Sequence, residues 1–152
     1  MKKNLIIGIG NNGRQDDGLG WAFLESIESK YSDFGDFEYR YQLQVEDAEL
    51  IANYENVFFV DADFSEHQLG YLFQKIIPSS NDSYSSHALV PSAILDLTQQ
   101  IYKKFPHCFT LGISGVSFEL KIGLTIQAQI NLKKSLLFFE KEIIENYLYL
   151  EI

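Results

Sequence analysis

Three short apolar runs mark the chain, and polar or glycine-containing residues end each of them. Residues 5–9 read Leu-Ile-Ile-Gly-Ile, residues 57–60 read Val-Phe-Phe-Val, and residues 109–113 read Phe-Thr-Leu-Gly-Ile. A continuous apolar run that stops at a turn is typical of a strand buried on both faces of a parallel sheet. The pattern therefore predicts three central strands, at 5–9, 56–62 and 109–113.

Between these runs, apolar residues recur at steps of three and four, as on one face of a helix. This spacing predicts helices over 18–30, over 47–54, from Pro91 onward, and a long amphipathic closing helix from Thr125. Pro91 suits the first turn of a helix, because the missing N–H of proline costs nothing there.

Two further segments have extended character. Residues 37–43 are predicted to form a second strand. The aromatic-rich residues 68–77 fit either a hairpin or an irregular insertion, and the pattern does not choose between them.

Strands that alternate with helices predict a single α/β domain over residues 1–152, with a mainly parallel sheet between helices on both faces. In such three-layer folds, ligands bind beyond the carboxyl ends of the strands. The loop at 10–18 and Asp61 both fall at that edge, so we expect the functional site there.

Carboxylates are the first candidates at this edge. Asp61 follows four apolar residues, where a charge is costly to bury unless it is paired, hydrogen-bonded or metal-bound. Asp16 and Asp17 precede a helix, so that one of them can cap or support it while the other points elsewhere. Asp63 is a reserve candidate, because it shares a strand face with Asp61 if the strand continues.

One histidine completes the candidate set. His87 ends a serine-rich loop that approaches a helix from the functional edge, whereas surface or core-edge roles suffice for His67 and His107. One imidazole with two carboxylates makes a site that accepts Ni²⁺ or Zn²⁺ and leaves coordination positions open.

Other chemistries find less support. The run 8–13 matches the dinucleotide pattern G-x-G-x-x-G, but no helix starts at its third glycine, and Asp16 and Asp17 would repel a pyrophosphate. A non-enzymatic nucleotide- or metal-binding module of Rossmann type nevertheless stays as the alternative. The serine-hydrolase elbow and the His-Glu-x-x-His motif are absent, and Cys108 is expected to be a buried, inert thiol.

The composition argues against several kinds of partner and structural feature. The net charge of −9 argues against a nucleic-acid partner, which needs a concentrated basic face. No stretch approaches the roughly 20 apolar residues of a membrane helix, and one cysteine excludes an intrachain disulfide. We therefore expect a cytoplasmic protein, with a monomer as the default.

Four separated blocks of the sequence resemble the hydrogenase maturation endopeptidases. In chain order, these blocks are residues 8–20 (Gly-Ile-Gly-Asn…Arg-Gln-Asp-Asp-Gly-Leu-Gly), residues 57–62 (Val-Phe-Phe-Val-Asp-Ala), residues 86–87 (Ser-His) and residues 110–125 (Thr-Leu-Gly-Ile…Ile-Gly-Leu-Thr). The resemblance covers nearly the whole chain in order.

The resemblance implies a fold and an activity. The family has a twisted five-stranded sheet between helices, a phosphorylase/hydrolase-like fold. Its members remove a C-terminal extension from the large-subunit precursor of a nickel–iron hydrogenase once nickel is inserted. Carried over by position, the catalytic and metal-contacting residues are Asp17, Asp61 and His87. The Ni²⁺ would come with the substrate, with Zn²⁺ or Cd²⁺ as possible surrogates.

The chain also departs from the family pattern. Residues 42–46 read Gln-Leu-Gln-Val-Glu, similar to the branch that serves cytoplasmic, nucleotide-cofactor-linked hydrogenases, but Ser86 stands where that branch commonly has a first histidine. The sequence leaves open whether a carboxylate or a metal-bound water performs hydrolysis. It also leaves open an inactive homologue that binds the precursor without cutting it.

Overall fold

A five-stranded sheet forms the middle layer of the computed structural model, which describes residues 2–80 and 89–146. Its strands are β1 (Lys2–Ile9), β2 (Asp36–Arg40), β3 (Tyr54–Asp63), β4 (Tyr71–Lys75) and β5 (His107–Ser114). Their order is β2-β1-β3-β5-β4, and only β4 is antiparallel to its neighbour. The predicted mainly parallel sheet is confirmed.

Helices lie in the four regions where the apolar spacing predicted them, but the helix predicted over 47–54 is shorter, because Tyr54 already begins β3. They are a 3₁₀ turn (Gln15–Gly18), α1 (Leu19–Ile27), α2 (Asp47–Ile51), α3 (Pro91–Leu97) and α4 (Ile126–Phe138). Pro91 is the first residue of α3. Helices α3 and α4 each continue into a π-helical segment, Thr98–Tyr102 and Phe139–Ile144 respectively. The end of the predicted closing helix, beyond residue 146, lies outside the described residues.

Side chains of the central strands alternate between two buried clusters, one on each face of the sheet. Phe58 belongs to the cluster covered by α1 and α4. Its neighbour Phe59 belongs to the cluster covered by α2 and α3. Both rings are almost fully buried, which explains why the apolar runs are continuous rather than alternating. The predicted three-layer α/β arrangement is therefore present.

The segment 68–77 differs from both sequence expectations, because it forms neither a hairpin nor an irregular insertion. Strand β4 lies at the sheet edge and pairs with β5, with Tyr71 opposite Ile113 and Lys75 opposite Phe109. Tyr71 packs against one core cluster, whereas Leu72 on the opposite face lines a cavity. The partner strand lies more than thirty residues later in the chain, so local periodicity carries no information about this pairing.

No helix within residues 2–80 and 89–146 combines the length and the apolar character needed to cross a membrane.

Candidate functional site

The two predicted carboxylates lie at the carboxyl edge of neighbouring strands. Asp61 is two residues from the end of β3, and Asp17 belongs to the 3₁₀ turn that follows β1. Strands β1 and β3 pair in parallel, so their carboxyl ends meet at the same edge of the sheet. The two side chains are close enough for the charge of Asp17 to raise the pKa of Asp61.

Asp61 is the most perturbed carboxyl group of this edge. Burial raises its pKa to about 7, against the effect of a hydrogen bond that the Ala62 amide donates to Oδ1 at 2.8 Å. The charges of Asp17 and Asp63 raise the pKa further. At neutral pH this group is therefore able both to accept and to release a proton, as a general acid or base requires.

Asp17 is held by the turn that follows β1. Its Oδ2 atom accepts a hydrogen bond from the Asn11 amide at 2.9 Å. Gly10 makes this approach possible, since its φ is +140° and a Cβ there would lie 2.0 Å from the carbonyl oxygen of Asp17. Only glycine fits such a position without moving the backbone.

The glycine-rich turn does not present a phosphate cradle. The amide of Asn11 already bonds Asp17, and the amide of Gly13 donates to the side chain of Asn11 at 2.8 Å. Gly20 allows α1 to pack directly on the sheet, because a Cβ there would lie 2.5 Å from the carbonyl oxygens of Ile9 and Val60. Gly10 and Gly20 therefore serve close packing and the amides of Asn11 and Gly13 are already bonded, so the nucleotide-binding alternative gains no support from this turn.

Asp16, next to Asp17 in the chain, is a fully buried carboxylate. It accepts four hydrogen bonds, from the amides of Val116, Ser117 and Thr125 and from the hydroxyl of Thr125. Burial acts to raise its pKa, but these bonds outweigh that effect and the pKa is lowered. Asp16 therefore fixes the loop between β5 and α4. It does not cap α1, whose first turn has no side-chain cap.

A cavity of about 190 Å³ adjoins Asp61 on the α2/α3 face of the sheet. Asp61, Asp63 and Pro91, the first residue of α3, are among the residues that line it. Gly112, which is opposite Asp61 in the β3–β5 register, carries no side chain to fill the space.

A carboxylate–imidazole pair was missed by the sequence reasoning, which gave His67 a surface or core-edge role. The Nε2 atom of His67 lies 2.7 Å from Oδ2 of Asp63, the reserve candidate. Burial acts to raise the pKa of Asp63, but the bonds from His67 and from the Ser65 amide lower it. The four-residue spacing of Asp63 and His67 could have indicated this pair, but whether the two side chains meet depends on the conformation of the loop between them.

The third predicted ligand, His87, lies outside the described residues. Among residues 2–80 and 89–146, no three side chains of the metal-binding types converge. The metal role of Asp17, Asp61 and His87 therefore stays a prediction.

The remaining candidates for chemistry lie at the opposite edge of the sheet. Cys108, the second residue of β5, is a buried thiol whose pKa burial raises to about 12, as expected for an inert cysteine. His107 is exposed, and its ring lies 3.3 Å from the ammonium group of Lys75.

Several solved structures share this fold. One is the [NiFe] hydrogenase maturation protease HycI from Thermococcus kodakarensis KOD1, with a TM-score of 0.72 and 17% identity over 92% of this chain and 91% of that one. Another is the hydrogenase maturating endopeptidase HybD from E. coli, with a TM-score of 0.60 and 18% identity over 92% and 94%. A third is the hydrogenase 2 maturation peptidase from Thaumarchaeota archaeon SCGC_AB-539-E09, with a TM-score of 0.66 and 18% identity over 92% and 97%.

These three carry the name of the family that the sequence blocks resemble, and the fold implied by that resemblance is confirmed. At such identities the likeness establishes a shared fold, and function has to be argued from the site. Comparison with family models and with curated proteins gives no match.

Proposed function

We propose that this protein is a hydrogenase maturation endopeptidase, which removes the C-terminal extension of a [NiFe] hydrogenase large-subunit precursor after nickel has been inserted. The observation that carries the proposal is the pair of carboxylates at one sheet edge: Asp61, with a pKa of about 7, and the neighbouring Asp17. The shared fold of the named maturation proteases supports it.

Each carboxylate has an oxygen available for a ligand. Within the described residues, Asp61 uses only Oδ1 in a hydrogen bond, and Asp17 uses only Oδ2. The other oxygen of each side chain makes no hydrogen bond to residues 2–80 or 89–146. Carboxylate oxygens with an imidazole suit a divalent ion such as Ni²⁺, and the lack of a thiolate fits an ion that is carried by the substrate and released again.

In this proposal, the nickel of the precursor is bound by Asp17, Asp61 and His87. A precursor without nickel is therefore not cut. We assign the proton of the attacking water to Asp61 as well, because in the free enzyme a carboxyl group with a pKa of about 7 accepts and returns protons at neutral pH. We also propose that the enzyme acts in the cytoplasm and that it acts as a monomer.

The test is cleavage of the cognate precursor, prepared with and without nickel and followed by the mass of the large subunit. We expect cleavage of the loaded form only, and its loss with Asp61→Asn. The matched control is Glu55→Gln on the same strand, because Glu55 is exposed at the opposite edge of the sheet, where it pairs with Lys3 at 3.7 Å. Full activity of Asp61→Asn, or no cleavage by the unmodified protein, would contradict the proposal.

A further inference from the structure

A second cavity, a cleft of about 640 Å³, lies beside the Asp63–His67 pair. The pair touches both cavities, since Asp63 lines the one that holds Asp61 and His67 lines the cleft. Residues from three parts of the fold line it: the β3–β4 loop, the end of β5, and one face of α4. Its volume is in the range of cavities that bind ligands.

The floor of the cleft is built from buried polar groups that are already bonded. The hydroxyl of Ser114 donates to the carbonyl oxygen of Ser65 at 2.9 Å and accepts from the amide of His67 at 3.0 Å. Asn131 on α4 donates to the carbonyl oxygen of Ser114 at 2.9 Å. Both Ser114 and Asn131 are nearly fully buried, so the floor is fixed before any ligand arrives.

One wall of the cleft is apolar and open to solvent. Phe64 is 78% exposed and Val116 is 63% exposed. The ring of Phe64 packs on Phe118 with centroids 4.1 Å apart, and the amide of Val116 is held by Asp16 at 2.8 Å. Exposed apolar side chains on a fixed backbone, next to a reactive site, are characteristic of a surface that binds another molecule.

A cation also lines the cleft. Lys134 lines the cleft from α4, together with Gln127 and Asn131 on the same helix face. In residues 2–80 and 89–146 no carboxylate forms an ion pair with Lys134, although Glu66 also lines the cleft and the whole chain carries a net charge of −9. A carboxylate on the ligand would complement this lysine.

We propose that this cleft binds the peptide segment that the enzyme cuts off, with an apolar side chain against Phe64 and a carboxylate on Lys134. The proposal rests on the proposed function, because the segment is the C-terminal extension of the precursor and the cleft adjoins the cavity of Asp61. The carboxylate is either an acidic side chain of the extension or its chain terminus.

Binding of synthetic peptides tests the cleft without nickel and without cleavage. The probe is the extension sequence of the cognate precursor, labelled for fluorescence anisotropy. It is prepared as free acid, as C-terminal amide, and with its acidic side chains replaced by amides. We expect Lys134→Gln and Phe64→Ser each to weaken binding of the free acid at least fivefold. If the C-terminal amide binds about fivefold more weakly than the free acid, Lys134 contacts the chain terminus. If the peptide with amidated side chains shows that loss, Lys134 contacts an acidic side chain.

The control variants are Lys104→Gln and Phe105→Ser, which change an exposed lysine and a 67%-exposed phenylalanine just before β5, at the opposite edge of the sheet. They should leave binding unchanged. All four positions are exposed or lie on the surface of the cleft, so we expect the thermal melting temperatures to stay within a few degrees. A scrambled extension peptide that binds as tightly as the true sequence would overturn the proposal.

The two proposals fail separately. Suppose that the precursor is cleaved and that Lys134→Gln and Phe64→Ser alter neither peptide binding nor KM. The assignment of the cleft as the peptide-binding site is then wrong, and the proposed function stands. If the peptide binds and both variants weaken it while no precursor is cut, the cleft stands as a binding site and the peptidase function is wrong. The result expected is a raised KM with kcat largely kept, since Lys134 and Phe64 line the cleft and not the cavity that holds Asp61.

Discussion

Asp16 and Thr125 are joined by two hydrogen bonds, in which the amide of Thr125 donates to Oδ1 and its hydroxyl donates to Oδ2, both at 2.8 Å. The same hydroxyl oxygen accepts from the amide of Ala128 at 3.2 Å and so caps α4. A carboxylate beside Asp17 therefore fixes where the last helix begins. The turn after β1, the loop after β5 and the start of α4 form one connected unit.

Replacing this carboxylate should destabilise the fold. In Asp16→Asn, one of the two acceptor oxygens becomes an N–H₂ group, which then faces either the amide of Thr125 or the amides of Val116 and Ser117, depending on how the side chain turns. We expect a loss of about 3 kcal/mol in the free energy of unfolding at pH 7, typical of a broken buried charge network. Urea denaturation measures it, with Asp33→Asn at an exposed position as the control.

The same loss should depend on pH in a defined direction. The pKa of Asp16 is lowered from its ordinary value of 3.8. Its stabilising contribution is therefore present above pH 4 and is lost as the pH falls through the lowered pKa. The stabilities of Asp16→Asn and the unmodified protein should converge at low pH, and a gap that stays constant would contradict this role.

Gly10, which leaves room for the carbonyl group of Asp17, provides a further prediction. Gly10→Ala places a Cβ 2.0 Å from the carbonyl oxygen of Asp17 at a φ of +140°, so the turn has to move. We expect a loss of more than about 2 kcal/mol in stability and loss of precursor cleavage. Gly13→Ala is the matched control in the same turn, since its Cβ would meet only the flexible side chain of Asn11. Equal effects of both substitutions would contradict the specific role of Gly10.

The sequence predicted the centre of the sheet well, because burial on both faces leaves a direct trace in composition. Residues 5–9, 56–62 and 109–113 all fall within strands of the structure. The helix start at Pro91 was equally readable, since proline has few other good positions near a helix.

What the sequence did not reveal depends on long-range contacts. The edge strand β4 takes its partner from a strand more than thirty residues away. Likewise, the bonds of Asp16 to the β5–α4 loop span about 100 residues. Asp63 and His67 are only four residues apart, but their contact depends on how the loop turns after β3. The placement of Asp17 and Asp61 was predictable, because it follows from the parallel topology alone.

Asp61 should affect stability with the opposite pH dependence to Asp16. Its pKa is raised to about 7, so the folded state disfavours the ionised form and stability falls as the pH rises from 4 toward 7. Asp61→Asn removes this penalty, and we expect it to raise the free energy of unfolding at pH 8 by on the order of 2 kcal/mol. At pH 4 the variant and the unmodified protein should differ little. A destabilised Asp61→Asn at pH 8 would contradict the raised pKa.

Comparing Asp61 with Asp63 separates the proposed reacting group from its neighbour. Both oxygens of Asp63 are engaged, Oδ2 by His67 at 2.7 Å and Oδ1 by the Ser65 amide at 2.9 Å, so we expect Asp63→Asn to keep cleavage within about tenfold. Removing its charge also removes one contribution that raises the pKa of Asp61. The acid limb of the kcat/KM profile should therefore move to lower pH. If Asp63→Asn is as inactive as Asp61→Asn, Asp63 itself contacts the nickel or the reacting water, and the assignment of the two carboxylates has to be changed.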